Sequence, residues 1–505
     1  MKFFQAGFLF IVFSIIACGV QAQKRGAVWC FGDSALVDFS DTSNILTGTS
    51  AVKSRGSCTS ISDSSGALLF YVAYDPTVTI GGTDPVKVYG QNNLVIDNGD
   101  SIKGGGWYHE LISLPFPGSD NLFYVFNIGV TLDFGLYYAI VDMSLNGGLG
   151  AVIQKNVQLE NFKTVDCLNA IKHGNGRDWW VIIRRFDAVS NPNNDYYIYL
   201  VSPSGISSQP IQSVGTQNPT NSGRISFNSQ GTKMAFINYV GLIELYDFDR
   251  CNGLISNPVT IQPESAQAPW PGLWSAEYSP SGNILYVTRI PAVITDSSRL
   301  FQYDLLAPNI SASKLTLWSA PWTTTIDQLK MAPDNKMYLT TNFGQVYPYT
   351  DSMYNSINMN LSVINSPDSL GTACDLQPFS FYLGGKRSYA GLPNNPDYDL
   401  PALVGSPCDT LVSQNELAGA AAVGNLHVYY HSDWDKAFIN ASNLKGKTGK
   451  LLLYDMQGKV VHSEPLRIQN GYYNRDLSMM GMADGVYLVV VETELERLVK
   501  KVLID

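Results

Sequence analysis

The stretch that decides the fold is Glu277-Tyr278-Ser279-Pro280-Ser281-Gly282-Asn283-Ile284-Leu285-Tyr286-Val287. Ser-Pro-Ser-Gly suits a type I turn: Pro280 fixes φ at the first central position and Gly282 relieves the exit. β-favouring residues flank it on both sides, so the stretch reads as a hairpin. The pattern recurs. Phe227-Asn228-Ser229-Gln230-Gly231 runs into Met234 to Ile237, and Met331-Ala332-Pro333-Asp334-Asn335 into Met337 to Leu339. Ile61-Ser62-Asp63-Ser64-Ser65-Gly66 precedes Leu68 to Tyr71, and weaker copies stand at Gly118 to Asn121 and Gly174 to Arg177. With Gly66, Asn121, Asp178, Gly231, Gly282 and Asn335 as markers, the steps are 55, 57, 53, 51 and 53 residues. Six copies at so even a period, filled with short strands and no helical run, predict an all-β chain whose main unit is a β-propeller with four strands per blade.

Those repeats account for Arg55 to about Asn342. A ring left open would expose strand edges, so a closing blade is expected. Its candidate pieces lie at both ends: Ala27 to Phe31 with Val37 to Phe39, and Gln345 to Leu383. One blade assembled from both ends gives seven.

Met1 to Ala22 reads as a secretory signal peptide, with Lys2 as the positive start and an apolar core from Ala6 to Val20. Val20-Gln21-Ala22 fits the small-residue cleavage rule, placing cleavage between Ala22 and Gln23. Ile15-Ile16-Ala17-Cys18 also resembles a lipoprotein cleavage box and ranks second. No later apolar run is long enough to span a bilayer, so no transmembrane segment is expected in the mature chain. About 480 mature residues suit one propeller plus a smaller unit. The formal net charge is −10, and residues 426–505 carry as many basic as acidic side chains, so the surplus lies in the propeller. An acidic surface argues against nucleic acid as a partner.

Six cysteines remain after the leader: Cys30, Cys58, Cys167, Cys251, Cys374 and Cys408. Without C-x-x-C or a nearby His they do not form a zinc pattern, and no metal or other cofactor is expected. An oxidising compartment favours disulfides. The expected pair is Cys374–Cys408, which would tie the end of the repeats to the segment leaving them.

Trp29-Cys30-Phe31-Gly32 with Asp38-Phe39, Ser60 to Gly66, Gly135 to Met143, Ile171 to Trp180 and Gly391-Leu392-Pro393-Asn394 together resemble a family of secreted Bacteroidetes propellers often labelled gliding-motility-associated. The resemblance implies a surface or secreted protein and no assigned reaction. Past it, residues 393–425 are Pro-rich and then Ala/Gly-rich and read as a linker, which bounds the propeller at residues 23–392. Residues 426–505 change composition. Strand patterns at Leu451 to Val461, Asp484 to Val491 and Leu498 to Ile504 predict a small β-sandwich. Tyr454 to Lys459, Gly485-Val486-Tyr487 and Lys500 to Ile504 make this tail similar to the C-terminal sorting domain of the type IX secretion system. That resemblance implies the secretion machinery as a partner, export through the periplasm, and a final place at the cell surface or in the medium. Such domains usually open on Asn-Pro, where this chain has Tyr430 to Asp433.

Chemistry is sparse. Of five histidines, only His109 and His173 precede the tail. There is no Gly-x-Ser-x-Gly elbow and no phosphate-binding loop. The expected role is a binding or scaffold module for a glycan or surface protein, with no catalytic residue assigned. The alternative is an extracellular hydrolase or lyase acting on polysaccharide or lactone through channel carboxylates. The loops preceding the presumed inner strands are rich in aromatics. Trp107, His109, Trp274 and Trp322, with Glu277 and Asp327 just inside, are the candidate ligand-binding residues, suited to stacking a flat ring over a polar floor.

Overall fold

The computed structural model describes residues 24–504 except 75–85, 106, 131–133, 266–267, 344–349, 351, 410–424, 432–434, 443, 456 and 469–470. The expected cleavage site at Ala22–Gln23 lies outside these residues. The chain divides into two units, Met1–Thr410 and Leu411–Asp505, and among the described residues it is all β apart from three short 3-10 turns.

Among its described residues the first unit contains seven antiparallel sheets, each meandering outward in chain order. They are β1 (Val28–Phe31), β2 (Asp33–Asp38) and β3 (Leu46–Lys53); β4 (Cys58–Ser62), β5 (Leu68–Tyr74) and β6 (Val86–Gly90); and β7 (Leu111–Pro115), β8 (Leu122–Gly129), β9 (Gly135–Asp142) and β10 (Ala151–Glu160). The fourth holds β11 (Asn169–Lys172), β12 (Trp179–Arg184), β13 (Asn193–Ser202), β14 (Gly205–Ser208) and β15 (Gln212–Asn218), the last pairing with β13. Then come β16 (Gly223–Phe227), β17 (Lys233–Asn238), β18 (Ile243–Asp249) and β19 (Leu254–Gln262); β20 (Leu273–Tyr278), β21 (Ile284–Arg289), β22 (Ser297–Asp304) and β23 (Leu315–Pro321); and β24 (Thr324–Met331), β25 (Met337–Phe343), β26 (Asn360–Ile364) and β27 (Leu376–Tyr382). This is a seven-bladed propeller, with β1, β4, β7, β11, β16, β20 and β24 innermost.

The repeated turns join the inner strand of each blade to its neighbour. Between β20 and β21 the Gly282 amide donates to the Ser279 carbonyl at 2.8 Å. Gly282 has φ +75°, which a residue with a Cβ adopts only at a cost. Gly66 to Asp63, Gly176 to His173, Gly231 to Asn228 and Asn335 to Ala332 close the same way. The second strand of most blades is buried on both faces, so it reads as an apolar run and not as an alternating one. Trp179 to Ile183 on β12 are all buried.

Closure differs from expectation. Among the described residues no blade is shared between the ends: the first is wholly N-terminal, and residues 360–382 supply the outer strands of the last. The period itself requires this, because a repeat beginning at β24 must run about as far as Tyr382 before it is complete. The first and last blades meet through Trp29, Phe39 and Tyr338, with Phe39 and Tyr338 ring centroids 5.3 Å apart. The seam is clasped at Arg387, whose carbonyl accepts from the Asp33 amide at 2.8 Å and whose guanidinium pairs with the Asp33 carboxylate.

The segment expected to be a linker does not leave the propeller at residue 392. It enters the centre of the ring at the end where the inner strands begin (the upper end here) and runs down it. Ala390 N donates to Arg55 O, Leu392 N to the Gln328 side chain, Asn394 N to Cys58 O, and the Tyr398 hydroxyl to Ser113 O. At the lower end Leu403 N reaches Gly174 O and Pro401 O accepts from Arg250. The fit is close: a Cβ on Gly391 would meet the Gly56 carbonyl oxygen at 2.1 Å. Asn394, 2% exposed, donates to Leu111 O and Leu168 O and accepts from Arg224, tying three blades to one side chain.

The disulfide is a second correction. Cys408 is bonded to Cys251, with Cα atoms 5.3 Å apart, and Cys374 is a free buried thiol. Cys374 packs in the core of the last two blades beside Ile284, Tyr286 and Ile364. Cys408 emerges at the lower end of the channel, against Gly174 and the β18–β19 turn that carries Cys251.

The second unit is a two-sheet sandwich. One sheet is β28 (Asn425–His431), β29 (Lys436–Ser442) and β32 (Tyr473–Ser478); the other is β30 (Thr448–Tyr454), β31 (Val460–Arg467), β33 (Gly485–Thr493) and β34 (Arg497–Ile504). Inward residues alternate along the strands, Leu451 and Leu453 against Val489 and Val491, with Ala437, Ile439 and Ala441 from the facing sheet.

Candidate functional site

Where the inner strands begin, the channel widens into a cavity of about 240 Å³. Trp107, Tyr108, Tyr239 and Trp274 form its walls, and Arg55, Ser222, Thr325, Asp327 and Asn342 supply polar groups. Tyr389 and Ala390, the start of the channel segment, also line it. The aromatic rings form a continuous edge-to-face set. Tyr108 and Trp274 have centroids 4.4 Å apart, Tyr239 and Trp274 6.5 Å, and Tyr239 and the exposed Trp270 6.3 Å. Such contacts hold large side chains half-exposed without letting them collapse across the opening.

Two buried carboxylates shape this wall. Glu110 accepts from the amides of Trp107 (2.9 Å) and Val130 (3.0 Å), and Asp166 from those of Tyr108 (3.1 Å) and His109 (2.7 Å). Burial pushes both carboxyls up. Their work is to fix the backbone of residues 107–110 so that Trp107 and Tyr108 face the cavity. His109 turns the other way. It is 3% exposed, its Nδ1 accepts from Arg224, and burial beside that guanidinium lowers its pKa well below the usual histidine value. A neutral imidazole engaged in this way positions Arg224 and does not line the cavity.

Asp327 does line it, 2% exposed, and burial pushes its carboxyl up to about 7. Its Oδ2 lies 2.8 Å from Thr325 Oγ1, which lies 2.6 Å from Asn342 Oδ1. Glu277 is deeper, three residues along β20 from Trp274. It accepts weakly from the Met331 amide at 3.4 Å, between the charges of Lys330 and Arg224, and its carboxyl is raised by burial. Trp322 is 42% exposed and outside the cavity lining. Only Trp322 and Thr323 separate β23 from β24, too short a loop to lean over the channel.

The structure therefore brings Trp107, Trp274 and Asp327 together and leaves His109, Glu277 and Trp322 apart from them. Arg55, Tyr108, Tyr239, Asn342 and Tyr389 complete the site and were not assigned from sequence. A signal for Arg55 existed: it precedes β4 much as Trp107 precedes β7. His173 sits at the lower end, its Nδ1 accepting from Asn175 N within its own turn and its Nε2 3.0 Å from Cys251 O on the β18–β19 turn. Among the described residues, no group of three His, Cys, Asp or Glu could hold a metal ion, and no helix is long and apolar enough to cross a membrane.

A search of curated proteins gave no match. Solved structures resembling the chain include a putative 6-phosphogluconolactonase from Bacteroides fragilis, at 12% identity and TM-score 0.41, covering 72% of this chain and 97% of that one. The periplasmic gluconolactonase of Pseudomonas aeruginosa follows at 11% and 0.34, covering 81% and 99%. The Dos1 propeller is similar at 12% and 0.38, covering 71% and 82%. At these values the likenesses assign no activity to this chain. Residues 435–505 match the family described as the secretion system C-terminal sorting domain. The sandwich is thus a type IX sorting tail, and the chain is one exported by that system to the cell surface or the medium.

Proposed function

We propose that the exported propeller is a binding module and that its cavity takes a single sugar ring. The observation that carries this is the pairing of half-exposed Trp107, Tyr239 and Trp274 with Ser222, Thr325, Asp327 and Asn342 around one opening. A pyranose has an apolar C–H face for the indoles and hydroxyls for the polar side, and each half of this surface answers one of them. About 240 Å³ lies below the range of roughly 300–1,000 Å³ of drug-sized ligand sites, so one ring fits and a chain does not. The resemblance to secreted Bacteroidetes propellers agrees with an exterior binding role.

Catalysis is the second reading. Asp327, with its carboxyl near 7, has the protonation suited to a general acid, but glycoside hydrolysis commonly uses two flanking carboxyl groups, and Asp166 and Glu277 are occupied elsewhere.

The test is calorimetric titration of the mature protein with methyl glycosides. Trp274→Ala is expected to weaken binding about tenfold or more while the melting temperature stays within a few degrees. Equal binding by the variant removes the cavity as the site, and turnover of an aryl glycoside would favour the second reading.

A further inference from the structure

We propose that the ring taken by this cavity is an acidic sugar, a hexuronate whose carboxylate is held by the Arg55 guanidinium. The proposal rests on the sugar-binding reading above and specifies its ligand.

Among the cavity-lining residues the cationic side chain is Arg55, in the loop between β3 and β4. It is exposed and makes no salt bridge among the described residues. Its Cζ lies 5.1 Å from the Tyr108 ring centroid, so a cation–π contact holds the guanidinium against the wall of the cavity instead of releasing it to solvent. A planar fork in that position matches a carboxylate and offers a neutral sugar much less.

The acidic side chain of the lining does not oppose an anion. Thr325 Oγ1 has one proton and two oxygen neighbours, Asp327 Oδ2 and Asn342 Oδ1. That chain is satisfied when Asp327 itself carries a proton and donates to Thr325. Burial favours this form, while the Thr325 hydrogen bond and then Arg55 oppose it only in part. The other groups near Asp327 bring no negative charge: Thr325 and Asn342 are neutral, and the buried Tyr108 phenol is held well above its ordinary pKa. Behind Tyr108, the carboxyls of Asp166 and Glu110 are likewise raised by burial. Below neutrality the cavity therefore presents one positive charge between aromatic walls.

Two consequences are measurable with the full mature chain. Methyl α-D-galacturonoside and methyl α-D-glucuronoside should bind about tenfold more tightly at pH 5.5 than their methyl esters. This preference should shrink as pH rises through about 7, because ionised Asp327 then places a negative charge near the ligand carboxylate. Arg55→Gln should bring the acid-to-ester affinity ratio to about one, and Asp327→Asn should flatten the pH profile while keeping the preference. A trigalacturonide that binds no more tightly than the monomer points to a free sugar or a chain end; tighter binding overturns the single-ring geometry. If acid and ester bind equally, or Arg55→Gln weakens both alike, the acidic-sugar proposal fails and the sugar cavity stands. If no glycoside binds, charged or neutral, both fall. A 6-sulfated galactoside that binds more tightly than the uronates also overturns the carboxylate assignment.

Discussion

Asn394 offers the sharpest check on how the propeller is held together. Its amide donates to Leu168 O at 2.8 Å and to Leu111 O at 3.1 Å, and its oxygen accepts from Arg224 at 3.3 Å. All lie in the channel, where the lost partners cannot be replaced by bulk water. In Asn394→Ala, two carbonyls and one guanidinium lose a partner at once. At about 1–3 kcal/mol for each buried group left unpaired, taking the lower half of that range because a small void can admit water, the expected loss is about 3–6 kcal/mol. In urea this moves the unfolding midpoint down by about 1–2 M for a slope near the top of the small-protein range. The control is Val404→Ala, ten residues on and 89% exposed, expected to stay within about 0.5 kcal/mol. Equilibrium unfolding followed by tryptophan fluorescence reads both. If Asn394→Ala matches the wild type to within the control, the segment does not brace the ring and the account of the channel is wrong.

Two further outcomes follow from the same region. A chain ending at Thr410 is expected to keep the unfolding midpoint of the full protein yet fail to appear outside the cell, whereas one ending at Leu392 should be markedly less stable; equal stability of the two would refute the bracing, and normal export of either would refute the tail's role. Peptide mapping without reduction is expected to recover Cys251 linked to Cys408, with Cys374 alkylated only after unfolding. Closing so long a loop contributes up to about 5 kcal/mol in the chain-entropy model, so Cys408→Ser should lower the melting temperature, and free Cys251 in the native protein would contradict the assigned bond.

Turn chemistry made the propeller legible. Ser279 to Gly282 and its five relatives are local signals, and each fixes the same junction between first and second strand. Where the sequence misled, distance along the chain is the reason. Residues 360–382 look like spare strands until the last blade is counted through to its edge. Gly391 to Asn395 have the Pro- and Asn-rich composition of a linker, because a linker and an extended segment buried in a channel both avoid helix and sheet pairing. Only the partners of Asn394, on blades far apart in sequence, tell them apart. The disulfide inherits that error: Cys408 is near Cys251 only because the intervening chain has descended the channel. At the site, Trp107, Trp274 and Asp327 were readable as loop aromatics and an acid at matching repeat positions. Arg55 held the matching position before β4 but not the matching residue type, and Tyr239 had no such signal, since each repeat supplies a different side chain and only the closed ring brings them together.

The segment at the centre also bears on how the molecule comes into being. Repeat proteins ordinarily behave as rows of neighbours, each unit adding or leaving at an end. Here the last stretch of chain before the tail occupies the axis of a ring that it did not help to wind. A finished ring could admit it only by drawing the whole C-terminal end lengthwise through the hole. The blades must therefore gather around this strand while the seam between β1 and β24 is still open, and the Asp33–Arg387 clasp shuts afterwards. Disassembly retraces that order. The seam is the one gate, and until it parts no blade can peel away alone, so seven repeats are expected to unfold as a single body.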